Sequence, residues 1–388
     1  MSEVESTPAP LAQAGFLERP LPARIILGSF PLMTLPLAAA LILTPQRGFL
    51  IVYLWLFAIT HFVITLTVYL QRQNLRHFAA TERNIFLFFI VPLLIFVAFY
   101  VIGVFRLRLA FPVFAVLLSA AIRLLDFNHF SRQAFGVYQL FKVRSGLRGA
   151  ASLKRTENAY FACLTALLFT TFLAGGVFPL LGPGARRFLG AAAVPSGPPL
   201  LGSSLLRPLA LAAAFAALIL LAVAVARIVR AWARAGRPTG LRAALTYLAF
   251  QTFSALLGIF SFPLYAATLA IHYVEYHVLM YPRCFHATLD DASGLDGWFA
   301  DLRRRPIFFY LLLVILAGVV TMCTLFSASI ASGEMAGPST RYLALVAVFD
   351  GLFVFHYFIE MLIWKFGDPF FRRTLAGLYF APRSSRPT

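Results

Sequence analysis

Acidic residues and cysteines are scarce in this chain. Aspartate and glutamate together number 15 in 388 residues, against 33 lysines and arginines. The three cysteines, Cys163, Cys284 and Cys323, are too few and too scattered for a disulfide framework or a thiolate metal site. No P-loop, dinucleotide-binding glycine fingerprint or nucleophile elbow appears, and the glycines of "GLRGAAS" and "GPGARRFLG" read as loop residues. Those absences exclude the common phosphate-cradling and serine-hydrolase chemistries. The N-terminal "MSEVESTPAPLAQAG" has no basic n-region and no cleavage site after an apolar stretch, so it does not read as a signal peptide. No internal repeat is visible.

The chain does have hydrocarbon. Sixty per cent of its residues are hydrophobic, 41 are phenylalanine, and the mean hydropathy is +0.82. The apolar residues come in long blocks, which points to an all-α, polytopic transmembrane helix bundle. Spans of about 20 apolar residues are expected at 24–43, 48–70, 85–105, 108–125, 159–181, 206–226, 244–260, 264–281, 306–327 and 341–363. The stretch 244–281 is too long for one span, and "SFP" at 261–263 supplies the break. This gives about ten spans between a disordered cytoplasmic tail, 1–23, and a basic cytoplasmic tail, 364–388, with the transmembrane domain at 24–363.

The net charge of +18 does not imply a nucleic-acid partner. The basic residues lie in short loops, where they set orientation and meet anionic lipid. Segments 71–84, 126–158, 227–243 and 282–305 are basic, and 44–47, 182–205 and 328–340 are poorer; only the turn at Arg106 and Arg108 is discordant. The positive-inside rule places both termini in the cytoplasm, and a bacterial inner membrane is the expected location.

Orientation then sets the depth of the polar residues. His61 lies about nine residues from the inner end of its span, His272 about nine and His356 about seven, while His129 follows the inner end of 108–125. Five of the seven histidines therefore come from four helices at similar depth. Within "IHYVEYHVLMYPR" (271–283), His272 and Glu275 are i and i+3; His356 and Glu360 are i and i+4; Asp126, His129 and Gln133 form one stripe if their helix continues past the membrane. His277 points away from His272. His77 and His286 read as solvated loop residues, and Tyr273, Tyr276, Tyr281 and Trp364 as an interfacial aromatic belt.

Carboxylate-plus-histidine pairs on facing helices are how bundles build iron or manganese sites, and this donor set suits Fe, Mn or Zn. His61, His129, His272 and His356 are the expected ligands of a transition metal, iron by preference. Glu275, Glu360 and His277 are assigned to the chemistry or to orienting the ligands, and Gln133 and Gln251 are donors around the site.

The gathering of single histidines from several spans resembles histidine-rich integral-membrane non-haem iron enzymes: the Brp/Blh carotene dioxygenases and the fatty-acid hydroxylases and desaturases. The desaturase boxes His-x-x-x-His and His-x-x-His-His are absent from "HYVEYHVLM" and "FHYFIEMLIWKF". "NHFSRQAFG" and "FHYFIEMLIWKFGDPFFR" also resemble segments of uncharacterised bacterial multi-pass proteins. The resemblance implies an oxygenase or hydroxylase acting on a lipophilic small molecule within the bilayer, supplied by an electron-donor protein. The alternatives are a proton- or ion-coupled transporter using Asp350 with the His and Glu groups, and a haem-binding membrane protein.

Overall fold

The computed structural model describes residues 20–43, 48–105, 107–144, 151–175, 206–234, 241–260, 262–285, 295–331, 340–365 and 367–379, and among them every regular element is helical. In chain order the helices are α1 (20–43), α2 (48–70), α3 (Arg72–Phe78), α4 (Glu82–Val104), α5 (Leu107–Ala110), α6 (Pro112–Arg144), α7 (Ala151–Leu173) and α8 (Leu206–Arg234). They continue as α9 (Leu241–Gly258), α10 (Phe262–Thr268), α11 (Ala270–Phe285), α12 (Leu295–Arg303), α13 (Pro306–Ala331), α14 (Thr340–Ile363) and α15 (Pro369–Tyr379).

Local sequence explains the boundaries. Pro112, Pro306 and Pro369 open α6, α13 and α15, where a missing N–H and a fixed φ suit the first helical position. Thr81 caps α4 by accepting from the Asn84 amide at 3.2 Å, and Asp368 caps α15 by accepting from the Phe370 amide at 2.8 Å. After α7, Gly175 takes φ 79°, a left-handed conformation that ends the helix. Helices α1, α2 and α4 each contain a π-helical turn, at Phe30–Thr34, Leu54–Ile59 and Phe86–Ile90.

Among the described residues, four helical stretches are long and apolar enough to cross a membrane: Leu21–Leu43, Glu82–Val104, Val113–Lys142 and Arg207–Arg234. A fifth results if Gly297–Arg303 and Pro306–Met322, bent by 107°, count as one span. Trp55–Leu70 and Gly351–Ile363 are apolar but shorter. Long helices of this kind suggest a membrane protein, and their outward faces agree. Leu93, Leu94 and Val97 of α4, Phe215 and Leu220 of α8, and Ile307, Phe308 and Ile315 of α13 are all exposed, far more apolar surface than a monomer in water presents.

The break expected inside 244–281 is present. Helix α9 ends at Gly258 and Ile259–Phe260 form a turn, while Ser261 lies outside the described residues. The second half is not one helix, however: it breaks again at Leu269, between α10 and α11. Helix α6 runs 33 residues without interruption, so the stretch after Leu125 continues the helix and is no loop. At the C-terminal side, α15 docks through Phe371, Leu375 and Tyr379, all buried, and the Tyr379 hydroxyl donates to the Leu279 carbonyl. Residues 1–19 and 380–388, and the loops expected at 44–47 and within 182–205 and 328–340 (176–205 and 332–339), lie outside the described residues, as does His286.

Several side chains differ from the sequence reading. Tyr273 and Tyr276 are buried rather than interfacial, because α11 is enclosed by its neighbours. His77 is no solvated loop residue: it sits on α3 and stacks on Phe370 with ring centroids 4.0 Å apart. Burial holds its imidazole below the ordinary value, with the Asp368 carboxylate pulling the other way.

Candidate metal centre

Three of the four expected ligands converge. His61 comes from α2, His129 from α6 and His356 from α14, and all are buried. The Nε2 atoms of His61 and His356 are 2.8 Å apart, and those of His356 and His129 are 3.3 Å apart. One ligand atom from each of the three lies within 4.8 Å of the others, so the triad could hold a metal ion. Nitrogens at about 2.05 Å from a shared ion would be about 2.9 Å apart at a right angle and about 3.3 Å apart at a tetrahedral one. The two separations match that range.

A metal-free network suits these groups less well. Two imidazole nitrogens at 2.8 Å need one proton between them, and His356 Nε2 faces two such neighbours. The remaining atoms are poorly served too: Nδ1 of His61, Nδ1 of His272 and Oε1 of Glu360 are buried with no hydrogen-bond partner. Buried polar atoms are normally paired, and of these three the Glu360 carboxylate is the one that an ion beside His129 would serve.

The surroundings orient the triad. Thr65 follows His61 by one helical turn, and its Oγ1 is 2.7 Å from His356 Nδ1 and 2.7 Å from the Tyr276 hydroxyl. For His356 Nε2 to present a lone pair, Nδ1 must carry the proton and donate it to Thr65 Oγ1, which also shares a hydrogen bond with the Tyr276 hydroxyl. The Tyr276 ring lies 4.3 Å from that of His61. Glu360, one turn after His356, brings Oε2 to 3.4 Å from His129 Nε2 and is buried, not wet.

The other expected site residues are distributed around this centre. The His272 ring lies 4.8 Å from that of His61 and 5.0 Å from that of His129, but no nitrogen of His272 belongs to the converging set. Glu275 turns toward two glutamines: Gln251 Nε2 donates to Oε1 at 3.2 Å, and Gln133 Nε2 lies 3.4 Å from Oε2. Gln133 also donates to the His272 carbonyl at 3.0 Å, and Gln251 to the Tyr247 hydroxyl at 2.9 Å. The two glutamines thus hold Glu275 and the backbone of α11 and make no hydrogen bond with the triad imidazoles. His277 stands apart from the triad, 3.2 Å from Thr60 Oγ1. That hydroxyl already donates to the Leu56 carbonyl at 2.6 Å, so His277 Nε2–H is the donor. The Asp350 side chain lies outside the described residues.

Sequence reasoning missed Thr65, Tyr276 and Tyr357. The Tyr357 ring packs 4.8 Å from that of His129, and its hydroxyl donates to Asp126 Oδ1 at 2.9 Å. Asp126 Oδ2 accepts from the Tyr265 hydroxyl at 3.1 Å and pairs with Arg123 at 3.4 Å. A hydroxyl in an apolar run carries no signal of its own. The one available clue was position: Thr65 is i+4 from His61, and Tyr276 is i+4 from His272. Compared with protein-family models, with curated proteins and with solved structures, the chain matches none.

Proposed function

We propose that this chain is an integral-membrane, metal-dependent oxidoreductase of the oxygenase or hydroxylase type, acting on a lipophilic substrate. The observation that carries the reading is the meeting of three buried Nε2 atoms, 2.8 and 3.3 Å apart, supplied by helices remote in sequence. His61, His129 and His356 would be the ligands, with Glu360 completing the set through the carboxylate beside His129. Three imidazoles and a carboxylate suit iron, manganese or zinc, and iron among these supplies one-electron and dioxygen chemistry when bound.

The protein's own residues have definable tasks. Thr65 and Tyr276 hold His356 in the tautomer that offers Nε2. His272 lines the centre with its ring beside those of His61 and His129, and the enclosing apolar side chains exclude bulk water. Hydroxylation places one oxygen of O2 into a C–H bond and reduces the other to water, consuming two electrons and two protons. A reductant, hence an electron-donor protein, belongs to the scheme. A lipid-borne substrate needs an apolar route to one polar depth, and the run "GFLIVYLWLFAIT" before His61, with Val52 and Leu56 exposed, offers such a surface. The proposed setting is a bacterial inner membrane with about ten spans, cytoplasmic termini and the centre in the cytoplasmic leaflet.

Haem ligation fits this geometry poorly. Axial nitrogens on one iron stand about 4 Å apart with a macrocycle between them, and His356 Nε2 is closer than that to the Nε2 atoms of both His61 and His129.

Elemental analysis of detergent-purified protein tests the reading. One transition-metal ion per chain is expected, lost in His61→Ala and His356→Ala, with an altered lipid or terpenoid profile in cells lacking the protein. Metal-free protein that drives pH-dependent uptake into proteoliposomes would reject the proposal in favour of a carrier.

A further inference from the structure

Helix α11 carries a second uncommon residue beyond the metal centre. His272, Tyr276, Leu279 and Arg283 fall at i, i+4, i+7 and i+11, one face of the helix. At about 1.5 Å per residue, Arg283 lies about 10 Å past Tyr276 and about 16 Å past His272 along the axis. Its side chain is among the largest fully buried ones in the molecule, with the residue 2% exposed. The guanidinium lies over the rings of Trp364, at 5.6 Å, and Phe371, at 5.9 Å. Its Nη1 has no hydrogen-bond partner. Among the described residues no carboxylate forms an ion pair with it; Glu360 acts on it through space but contacts His129.

Buried charges are normally paired, and breaking such a pair is strongly destabilising. Arginine's planar fork is also the side chain best matched to carboxylate and phosphate oxygens. Two aromatic faces fix the plane of this guanidinium, and Nη1 is left over. The adjoining cover is α15, whose Phe371 and Tyr379 are buried while Arg372 and Arg373 are exposed.

We infer that Arg283 binds the anionic head, carboxylate or phosphate, of an amphiphilic ligand whose apolar tail extends along α11 toward the histidine triad. The inference rests on the proposed function only in making that ligand the substrate. It then fixes where chemistry falls. With the head at Arg283, the triad faces the hydrocarbon part of the chain, about 10 Å or more away, and not the atoms next to the head.

The full-length protein in an uncharged maltoside detergent is titrated with oleate, with monoolein (the same chain with an uncharged head), with phosphatidylglycerol and with inorganic phosphate. Binding is read by native mass spectrometry, and metal content on the same samples. Oleate or phosphatidylglycerol is expected to bind roughly tenfold or more tightly than monoolein, and whichever leads identifies the head as carboxylate or phosphodiester. Arg283→Gln is expected to bring the leading ligand down to the monoolein level at unchanged metal content. Equal binding of oleate, phosphatidylglycerol and monoolein overturns the inference. So does full retention of anionic preference in Arg283→Gln, or inorganic phosphate binding as tightly as the amphiphiles. Should Arg283→Gln fail to fold, the head-group series on the wild-type protein still decides. Head-group preference in metal-free protein would leave Arg283 standing and sink the metal reading alone.

Discussion

Two buried polar clusters in this bundle are built in opposite ways. Around Glu157 the hydrogen bonding is closed. The carboxylate accepts from Tyr138 at 3.2 Å, Gln139 at 3.0 Å and Lys142 at 2.6 Å, the Trp232 indole donates to the Tyr138 hydroxyl at 3.2 Å, and Lys142 lies 5.5 Å over the Trp232 ring. Around His356 the nitrogens crowd together while neighbouring atoms of His61, His272 and Glu360 go without partners. Burial alone therefore does not separate a structural polar cluster from a functional one. The two differ in satisfaction: one cluster completes itself and joins α6 to α7, and the other leaves buried polar atoms without partners.

The comparison breaks most sharply through Glu157→Ala. It strips the buried Lys142 ammonium of its carboxylate, and a loss of about 3–5 kcal/mol in stability is expected, with metal stoichiometry unchanged in the protein that folds. Thermal unfolding in detergent beside elemental analysis checks both halves. A fall in metal content parallel to the fall in stability would show that the clusters are not independent.

Thr65→Val shifts the balance toward the metal. Removing the group that orients His356 is expected to weaken metal binding by about 10–100-fold, read by competition with a chelator, while the metal-free protein loses less stability than with Glu157→Ala and more than with Tyr276→Phe, because two buried hydrogen bonds go with the hydroxyl. Unaltered affinity would show that Thr65 does not set the tautomer. His272→Ala should cost less, under about tenfold in metal affinity, because its nitrogens stand outside the converging set; complete loss of the ion would instead promote it to a ligand. Tyr276→Phe is the mildest change, removing one hydroxyl worth about 0.5–1.5 kcal/mol, and a melting-temperature shift of a few degrees is the expected reading.

Much of this was legible before any coordinates. Helical class followed from the length of the apolar blocks, and the approach of His61, His129 and His356 followed from their shared depth. Glu360 followed from i+4 spacing, and it does reach the centre, although by way of His129. Glu275 shows where such spacing fails. It shares a face with His272 in the linear pattern, but its carboxylate is taken up by Gln133 and Gln251 and not by the histidine triad. Tyr276 was misread because an aromatic near a helix end has the same sequence signature at a lipid interface as in a packed core. Lys142 and Glu157 fell within the basic segment 126–158, because no local pattern says that α6 extends to Arg144 and that α7 begins at Ala151. The π-helical turns of α1, α2 and α4 were not visible either, since they depend on tertiary packing more than on composition.

The ligands' spacing along the chain has a bearing on biosynthesis. His129 and His356 are 227 residues apart and His61 and His356 are 295 apart, yet their nitrogens touch. At roughly 5–20 residues per second, translation needs on the order of 10–50 s to travel from the second histidine to the third. Throughout that interval His61 and His129 are already made, and the pair has no third partner. Closure waits for α14 to dock, so an ion held by all three histidines could be taken up only late in the making of each molecule.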